Sequence, residues 1–252
     1  MNKRNKKMRL DKMLGNLGYG SRSEIKALIR QGAVTVNGMP AGDPGLQIDP
    51  EQDTVTLGGE TVRYRDTVYI MLHKPAGVIS ATEDVRERTV LDLLDPELKV
   101  FSPFPVGRLD KDTEGLLLLT NDGKLAHEML SPRKHVPKTY RAVVAGEVGA
   151  AEAEKFSKGV QLDDGYVTMP AELKVLVSVP LAEAKAHPVM AEPLGRMAPG
   201  VLEAPEAAKA RHLCWIELTI YEGKFHQVKR MFQAVGRQGL SLRRISLGPL
   251  QL

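Results

Sequence analysis

A two-domain α+β protein, with a small basic domain followed by a larger one, is what this sequence predicts, and three observations carry the prediction. The first is where the charge sits: the first 42 residues hold nine Lys and Arg against two acidic side chains, an excess larger than the +4 of the whole chain. The second is a change of pattern, from short helical spacings and hairpin turns before residue 66 to longer alternating strands after it. The third is size. A chain of 252 residues with 42% hydrophobic content has material for one small and one sizeable core.

Composition narrows the class of function. Lys and Arg outnumber Asp and Glu by 35 to 31, which permits a polyanionic partner without requiring one. No apolar stretch approaches the ~20 residues that span a bilayer, and the basic N-terminus is not followed by the apolar run of a signal peptide. A cytoplasmic protein without a membrane partner is expected. The single cysteine, Cys214, has no Cys or His cluster around it that would read as a zinc site, so it is expected to be buried and inert.

The basic head has structure of its own. Residues 1–7 read as a flexible tail. Leu10, Met13, Leu14 and Leu17 then sit at helical spacing, and Ser21-Arg22-Ser23-Glu24 is a capping box that opens a second helix with Ile25, Leu28 and Ile29 on its core face. Arg22, Lys26 and Arg30 line another face of it. Gly32 ends the helix, Val34 and Val36 alternate as a strand, and Asn37-Gly38 is a hairpin turn. Gly58-Gly59 turns between two more short strands that close a domain over residues 8–66.

From residue 67 the elements lengthen. Val68 to Leu72 reads as a buried strand ending at His73-Lys74-Pro75. Thr89 to Leu94 reads as a short helix. Gly107-Arg108-Leu109-Asp110-Lys111-Asp112-Thr113-Glu114-Gly115 precedes the apolar run Leu116 to Leu119. A buried strand beginning at Gly115 leaves a charged loop at its mouth, where Arg108 and Asp110 can bond to each other or to a ligand. That loop is the candidate active site. Lys124 to Leu130 follows as a helix, Lys138 to Val144 as a strand, and Ile216, Leu218 and Ile220 alternate along another. After Glu222-Gly223-Lys224, the residues Val228, Met231, Phe232 and Val235 form one stripe of a helix, while His226, Lys229, Arg230 and Gln233 form a second stripe able to face a cleft. Residues 180–212, rich in Ala, Pro, Glu and Lys, read as an exposed insertion.

The loop around Asp110, with Leu72-His73-Lys74-Pro75-Ala76-Gly77, Lys138-Thr139-Tyr140, Glu222 to Met231 and Leu242 to Leu250, resembles the pseudouridine synthases of the RsuA type, the ribosomal small-subunit branch. Arg9-Leu10-Asp11-Lys12, Gly20 to Ser23 and Gly32 to Gly38 resemble the αL RNA-binding motif of ribosomal proteins and several RNA enzymes. The resemblance implies a small N-terminal αL RNA-binding domain and a catalytic domain, residues 67–252, built on a mixed, mainly antiparallel sheet with flanking helices. It implies that Asp110 is the catalytic aspartate, that Tyr140 stacks on the target base, and that Lys229 reaches Asp110, with Arg108 the other cation available to it. Leu247 falls where an apolar residue lines the uridine pocket. Arg9, Lys12, Arg22, Lys26, Arg30, Lys74, His226 and Arg230 are the expected RNA contacts.

Pseudouridine formation moves the glycosidic bond from nitrogen 1 to carbon 5 of uracil without oxidation or phosphoryl transfer, so neither cofactor nor metal is expected. The sequence carries no Walker or dinucleotide signature. The expected partner is rRNA, specifically 16S rRNA in a partly assembled small subunit, with the protein acting as a monomer. A 23S rRNA substrate, a non-catalytic ribosome-assembly factor and another RNA enzyme sharing the αL module are the alternatives. The Phe225-His226 form of the third motif favours the small-subunit reading.

Overall fold

The computed structural model describes residues 7–252. The expected basic tail therefore lies, apart from Lys7, outside the described residues. The chain divides into two compact units. One comprises residues up to Tyr69 together with Leu93–Phe104 and Thr120–Asp122; the other comprises Ile70–Asp92, Pro105–Leu119 and Gly123–Leu252. The first unit thus takes in two short stretches that lie within the expected catalytic range.

In the first unit the helices Leu10–Asn16 and Arg22–Arg30 pack their apolar faces, Leu10, Met13, Leu14, Ile25 and Ile29, onto Val34, Ile48 and Val55. The capping box forms: Ser21 N donates to Glu24 Oε2 at 2.7 Å, and Glu24 N to Ser21 Oγ at 3.4 Å. A four-stranded antiparallel sheet runs in the order Met39–Pro40, Val34–Val36, Val55–Leu57, Glu60–Val62. Its Asn37-Gly38 turn has φ of 52° and 82°, the double positive value that a two-residue hairpin of type I′ requires. Arg22, Lys26 and Arg30 are exposed, and their spacing of four residues places them along one side of the helix.

The second unit is built on six long strands: β1 Tyr69–Lys74, β2 Glu114–Thr120, β3 Lys138–Ala145, β4 Glu172–Pro180, β5 His212–Ile220 and β6 Gln238–Leu247. They lie in the order β4-β5-β3-β6-β2-β1. The pairs β4/β5, β5/β3 and β3/β6 are antiparallel, and β6/β2 is parallel. Helices α1 Gly123–Leu130, α2 Ala150–Lys158 and α3 Gln227–Ala234 flank this sheet. Strand β2 lies inside the sheet, between β6 and β1, and Leu116 to Leu119, which leave neither face fit for water, are all buried. Helix α3 is anchored by Val228, Met231 and Phe232, with Phe232 edge-on to Phe156 of α2 at 5.3 Å.

Two expectations are corrected. Strand β1 lies at the edge of the sheet, and its Tyr69 and Met71 are exposed instead of buried. Residues 180–212 are not an exposed excursion: Leu181–Ala184, Pro188–Met190, Ala191–Gly195 and Pro205–Ala208 are helical. Ala184 and Met190 are fully buried against Val143, Val179 and Leu213, and Leu194, Met197 and Leu202 pack around them. These apolar residues are too widely spaced among Ala, Pro and charged neighbours to show a periodic face, yet together they cover one end of the sheet. Cys214 is buried, as expected.

Candidate active site

The loop before β2 is held from below by the segment after β1. Lys74 is fully buried, and its ammonium donates to the carbonyls of Thr113 at 2.8 Å, Pro75 at 3.0 Å and Lys111 at 3.3 Å. Gly77 N donates to the Lys111 carbonyl at 2.7 Å. The Ser80 hydroxyl serves both backbone groups of Leu109, donating to its carbonyl at 2.9 Å and accepting from its N–H at 3.0 Å. Asp110 is therefore flanked on both sides by anchored backbone. Burial pulls the Lys74 ammonium down to about 8, against the pull of the carboxylates of Asp112 and Asp110.

The start of α3 faces this loop. Lys229 Nζ lies 2.6 Å from Asp112 Oδ1 and 3.3 Å from Asp110 Oδ2, and His226 Nε2 lies 3.4 Å from Asp110 Oδ1. Burial works against charge on Asp112, and the Lys229 ammonium overrides it, holding that carboxyl below its ordinary range. Among the described residues Arg108 makes no ion pair with Asp110; it is exposed at the edge of the cleft. Of the two stripes of α3, Val228, Met231 and Phe232 go into the core, and His226 and Lys229 face the carboxylates, while Gln233 is exposed to solvent.

Asp110, Tyr140, Arg244, Glu222 and His226 line one cleft of about 850 Å³. A register shift between Thr139 and Tyr140 opposes Tyr140 to Arg244 and leaves Ile245 as the extra residue of β6. Such a bulge re-aims the side chains beside it. On the other side of β6, Arg244 pairs with Gly115. A Cβ at Gly115 would stand 2.2 Å from the Arg244 carbonyl oxygen, and its φ is +107°, so only glycine lets β2 lie this close. Glu222 is buried and fully engaged: its Oε2 accepts from the Tyr166 hydroxyl at 2.5 Å, and its Oε1 from Met169 N at 2.8 Å and Gln227 Nε2 at 2.9 Å.

Three of the expected contacts fall elsewhere. Lys74, expected at the RNA backbone, is spent on loop carbonyls, because a fully buried ammonium must satisfy its donors within the protein. Leu247 is buried in the sheet and is not among the residues lining the cleft; the bulge directs Arg244 into it instead. Arg230 is clamped to Asp163 and Asp164, with only 13% of its side chain exposed. In the first unit Arg9 forms a two-pronged pair with Asp11, at 2.9 and 2.7 Å, while Lys12 stays exposed. Sequence reading passed over Ser80, Glu222 and Arg244. For Arg244 the one available signal was an arginine pair inside an otherwise apolar strand pattern.

The chain thus combines a restrained carboxylate and a tyrosine in one cleft, a lysine 3.3 Å from that carboxylate, and a separate basic helical module. Residues 68–234 match the family described as RNA pseudouridylate synthase, and residues 8–65 match the S4 domain. The chain belongs to the pseudouridine synthase family and is an isomerase acting on RNA. It is 46% identical to an uncharacterized RNA pseudouridine synthase, YtzG, of Bacillus subtilis, over 97% of this chain and 90% of that protein. It is 34% identical to ribosomal large subunit pseudouridine synthase B of Bacillus subtilis, covering 94% and 84% of the two chains. It is also 34% identical to ribosomal small subunit pseudouridine synthase A of Escherichia coli, covering 97% and 91%. A crystal structure of a pseudouridylate synthase superposes with a TM-score of 0.57 at 30% identity, covering 97% and 90%.

Proposed function

We propose that this protein isomerises one uridine of 16S rRNA to pseudouridine in a partly assembled small subunit in the cytoplasm, with Asp110 as the catalytic anion. The observation that carries the reading is the Asp110 carboxylate, one-quarter exposed in a restrained loop, with Lys229 at 3.3 Å and Tyr140 in the same cleft. The 3.3 Å contact with the Lys229 ammonium aims the carboxylate. The target base must leave its stack, at about a few kcal/mol, and stacking on an aromatic ring contributes ~1–3 kcal/mol in return. Tyr140 supplies that ring. The bond from nitrogen 1 to the anomeric carbon breaks, the base turns, carbon 5 bonds to the same carbon, and the carbon 5 proton is exchanged for one on nitrogen 1. Asp110 acts at the sugar or the ring as nucleophile, or as the base for a sugar proton.

Arg108 and His226 stand at the cleft mouth, where the backbone of a flipped nucleotide would pass. Lys12, Arg22, Lys26 and Arg30, with Arg9 once it is released from Asp11, supply phosphate contacts from the S4 domain. The third motif, with Phe225 stacked on His226 at 3.8 Å, supports the small-subunit target. A relative named for the large subunit matches at the same identity as one named for the small subunit, which makes 23S rRNA the second reading. Pseudouridine mapping of both rRNAs from a deletion strain, complemented with wild type or Asp110→Asn, tests both parts. One 16S site should vanish on deletion and return only with the wild type. Loss of a 23S site with 16S unchanged would refute the substrate, and restoration by Asp110→Asn would refute the role of the aspartate.

A further inference from the structure

Among the described residues, Arg244 is a buried charge without a counter-charge. It is only 2% exposed, among the largest fully enclosed side chains. Its Nε donates to the Leu116 carbonyl at 2.8 Å, but its Nη2 is buried and has no acceptor among the described residues. A guanidinium removed from water without a counter-charge is expensive to keep. The carboxylates of the cleft do not serve it. Asp110 faces His226 and Lys229, and Glu222 is taken up by Tyr166, Met169 and Gln227. The charge is felt nearby: burial first, then Arg244, lowers the affinity of Lys138 for its proton. A cation so placed in a cleft-lining position is built for something the cleft receives.

Its place in the sheet says which part of an RNA that is. Arg244 is directly across the strand pair from Tyr140, and side chains so opposed have Cβ atoms about 5 Å apart on one face. A pyrimidine ring stacked on Tyr140 therefore presents its edge to the guanidinium. Phosphates, which stay outside, would meet the exposed cations at the mouth, Arg108, Arg133 and Lys224.

We propose that Arg244 is a further catalytic residue: its Nη2 donates to a carbonyl oxygen of the target uracil and holds the negative charge the ring takes on when the nitrogen 1 glycosidic bond breaks. The inference rests on the reading that Asp110 and Tyr140 bracket the target base. When that bond breaks, its electron pair stays on the ring, spread over nitrogen 1 and the two carbonyl oxygens. The pair is used again when carbon 5 bonds to the anomeric carbon. Carbon 5 then loses its proton and nitrogen 1 gains one, so the sequence balances without oxidant or reductant. A preorganised donor aimed at developing charge is the largest single kind of catalytic contribution, and removal of one donor lowers turnover by about 10²–10³-fold.

The test uses the full-length protein and pre-ribosomal particles from a strain lacking this gene, grown once on [5-³H]uridine and once on 5-fluorouracil. Tritium release reads isomerisation, and mass spectrometry of nuclease digests reads loss of the 5-fluorouridine N-glycoside. Arg244→Met should slow single-turnover release about 10²–10³-fold while RNA affinity by filter binding stays within about threefold. Arg244→Lys, which keeps a charge and threatens the fold less, should recover part of the rate. Fluorine stabilises a ring anion that Arg244→Met no longer holds, so this variant should lose about tenfold less rate on fluorinated target than on uridine. A merely structural role would slow both substrates equally, and that result overturns the proposal. So does a rate within about threefold of wild type in Arg244→Met. If Asp110→Asn is inactive while the Arg244 variants turn over normally, this inference alone falls; if all remain active, the reading of the site falls with it.

Discussion

Replacing Lys74 with methionine separates stability from positioning. The variant loses three charge-assisted bonds to the carbonyls of Pro75, Lys111 and Thr113, at about 1.5 kcal/mol each. Against this, it no longer buries an ammonium whose proton affinity is pulled from 10.5 to about 8, a relief of about 3 kcal/mol. The net loss of stability is then on the order of 1 kcal/mol, because methionine fills the same apolar volume. The effect on chemistry is larger. Two of the released carbonyls, those of Lys111 and Thr113, follow Asp110 in its loop, and a shift of about 1 Å at a reacting group lowers the rate about 10²-fold. The pH dependence has two opposite limbs. The folded protein gives up the Lys74 proton near pH 8, before the unfolded chain does, so between about 8 and 10.5 the unfolded state binds more protons. Wild-type stability should rise relative to Lys74→Met over that window, and not below it. A neutral amine has two N–H groups for three carbonyls, so the loop loosens and wild-type activity should fall above pH 8, a limb absent from the variant. Urea melts and single-turnover tritium release across pH 6.5–10 measure both. A Lys74→Met rate within threefold of wild type at pH 7 would refute the positioning role.

Tyr140→Phe keeps the ring and removes the hydroxyl, so RNA affinity should hold while isomerisation slows by about 10²-fold or more if the hydroxyl moves a proton; equal loss of binding would mark Tyr140 as structural. Gly115→Ala meets the Arg244 backbone and should destabilise the protein by on the order of 3 kcal/mol or more, read as a lowered melting temperature; an unchanged melt would deny the close strand approach. Met190→Asp buries a carboxylate in the core beneath residues 180–212 and should also lower the melting temperature, whereas an insertion independent of the sheet would leave it unmoved. Alanine at Arg22, Lys26 and Arg30 together should flatten the slope of log affinity against log salt by about 0.7–0.9 for each phosphate no longer neutralised, and an unchanged slope would remove them from the RNA interface.

What could be read from the sequence was whatever is encoded locally. The capping box at Ser21, the Asn37-Gly38 turn, the buried run Leu116 to Leu119 and the apolar stripe of α3 each depend on residues a few positions apart, and each forms as expected. The resemblance brought Asp110, Tyr140 and Lys229 together as candidates; in the structure Asp110 and Tyr140 line one cleft and Lys229 lies 3.3 Å from Asp110. What stayed illegible depends on partners far along the chain. Nothing near Lys74 says that its acceptors lie 37 and 39 residues on. The acceptor of Arg244 lies 128 residues back, and the bulge that turns this arginine inward exists only once β3 and β6 pair. Residues 180–212 misled for a related reason: their apolar side chains find a surface only after the sheet exists to offer it.

The clasp beneath the loop also sets a rule about length. Lys74 reaches Thr113, Gly77 reaches Lys111 and Ser80 reaches Leu109, so the two segments run past each other in opposite directions like paired rulers. Pro75 and Ala76, exposed between the graduations, are free to change identity. They are not free to change number, since one residue added or removed there would carry Ser80 away from Leu109 while Lys74 stayed in place, twisting the backbone of Asp110 out of line. Library selections in this stretch should therefore return many substitutions at 75 and 76 and no active variant with an insertion or deletion.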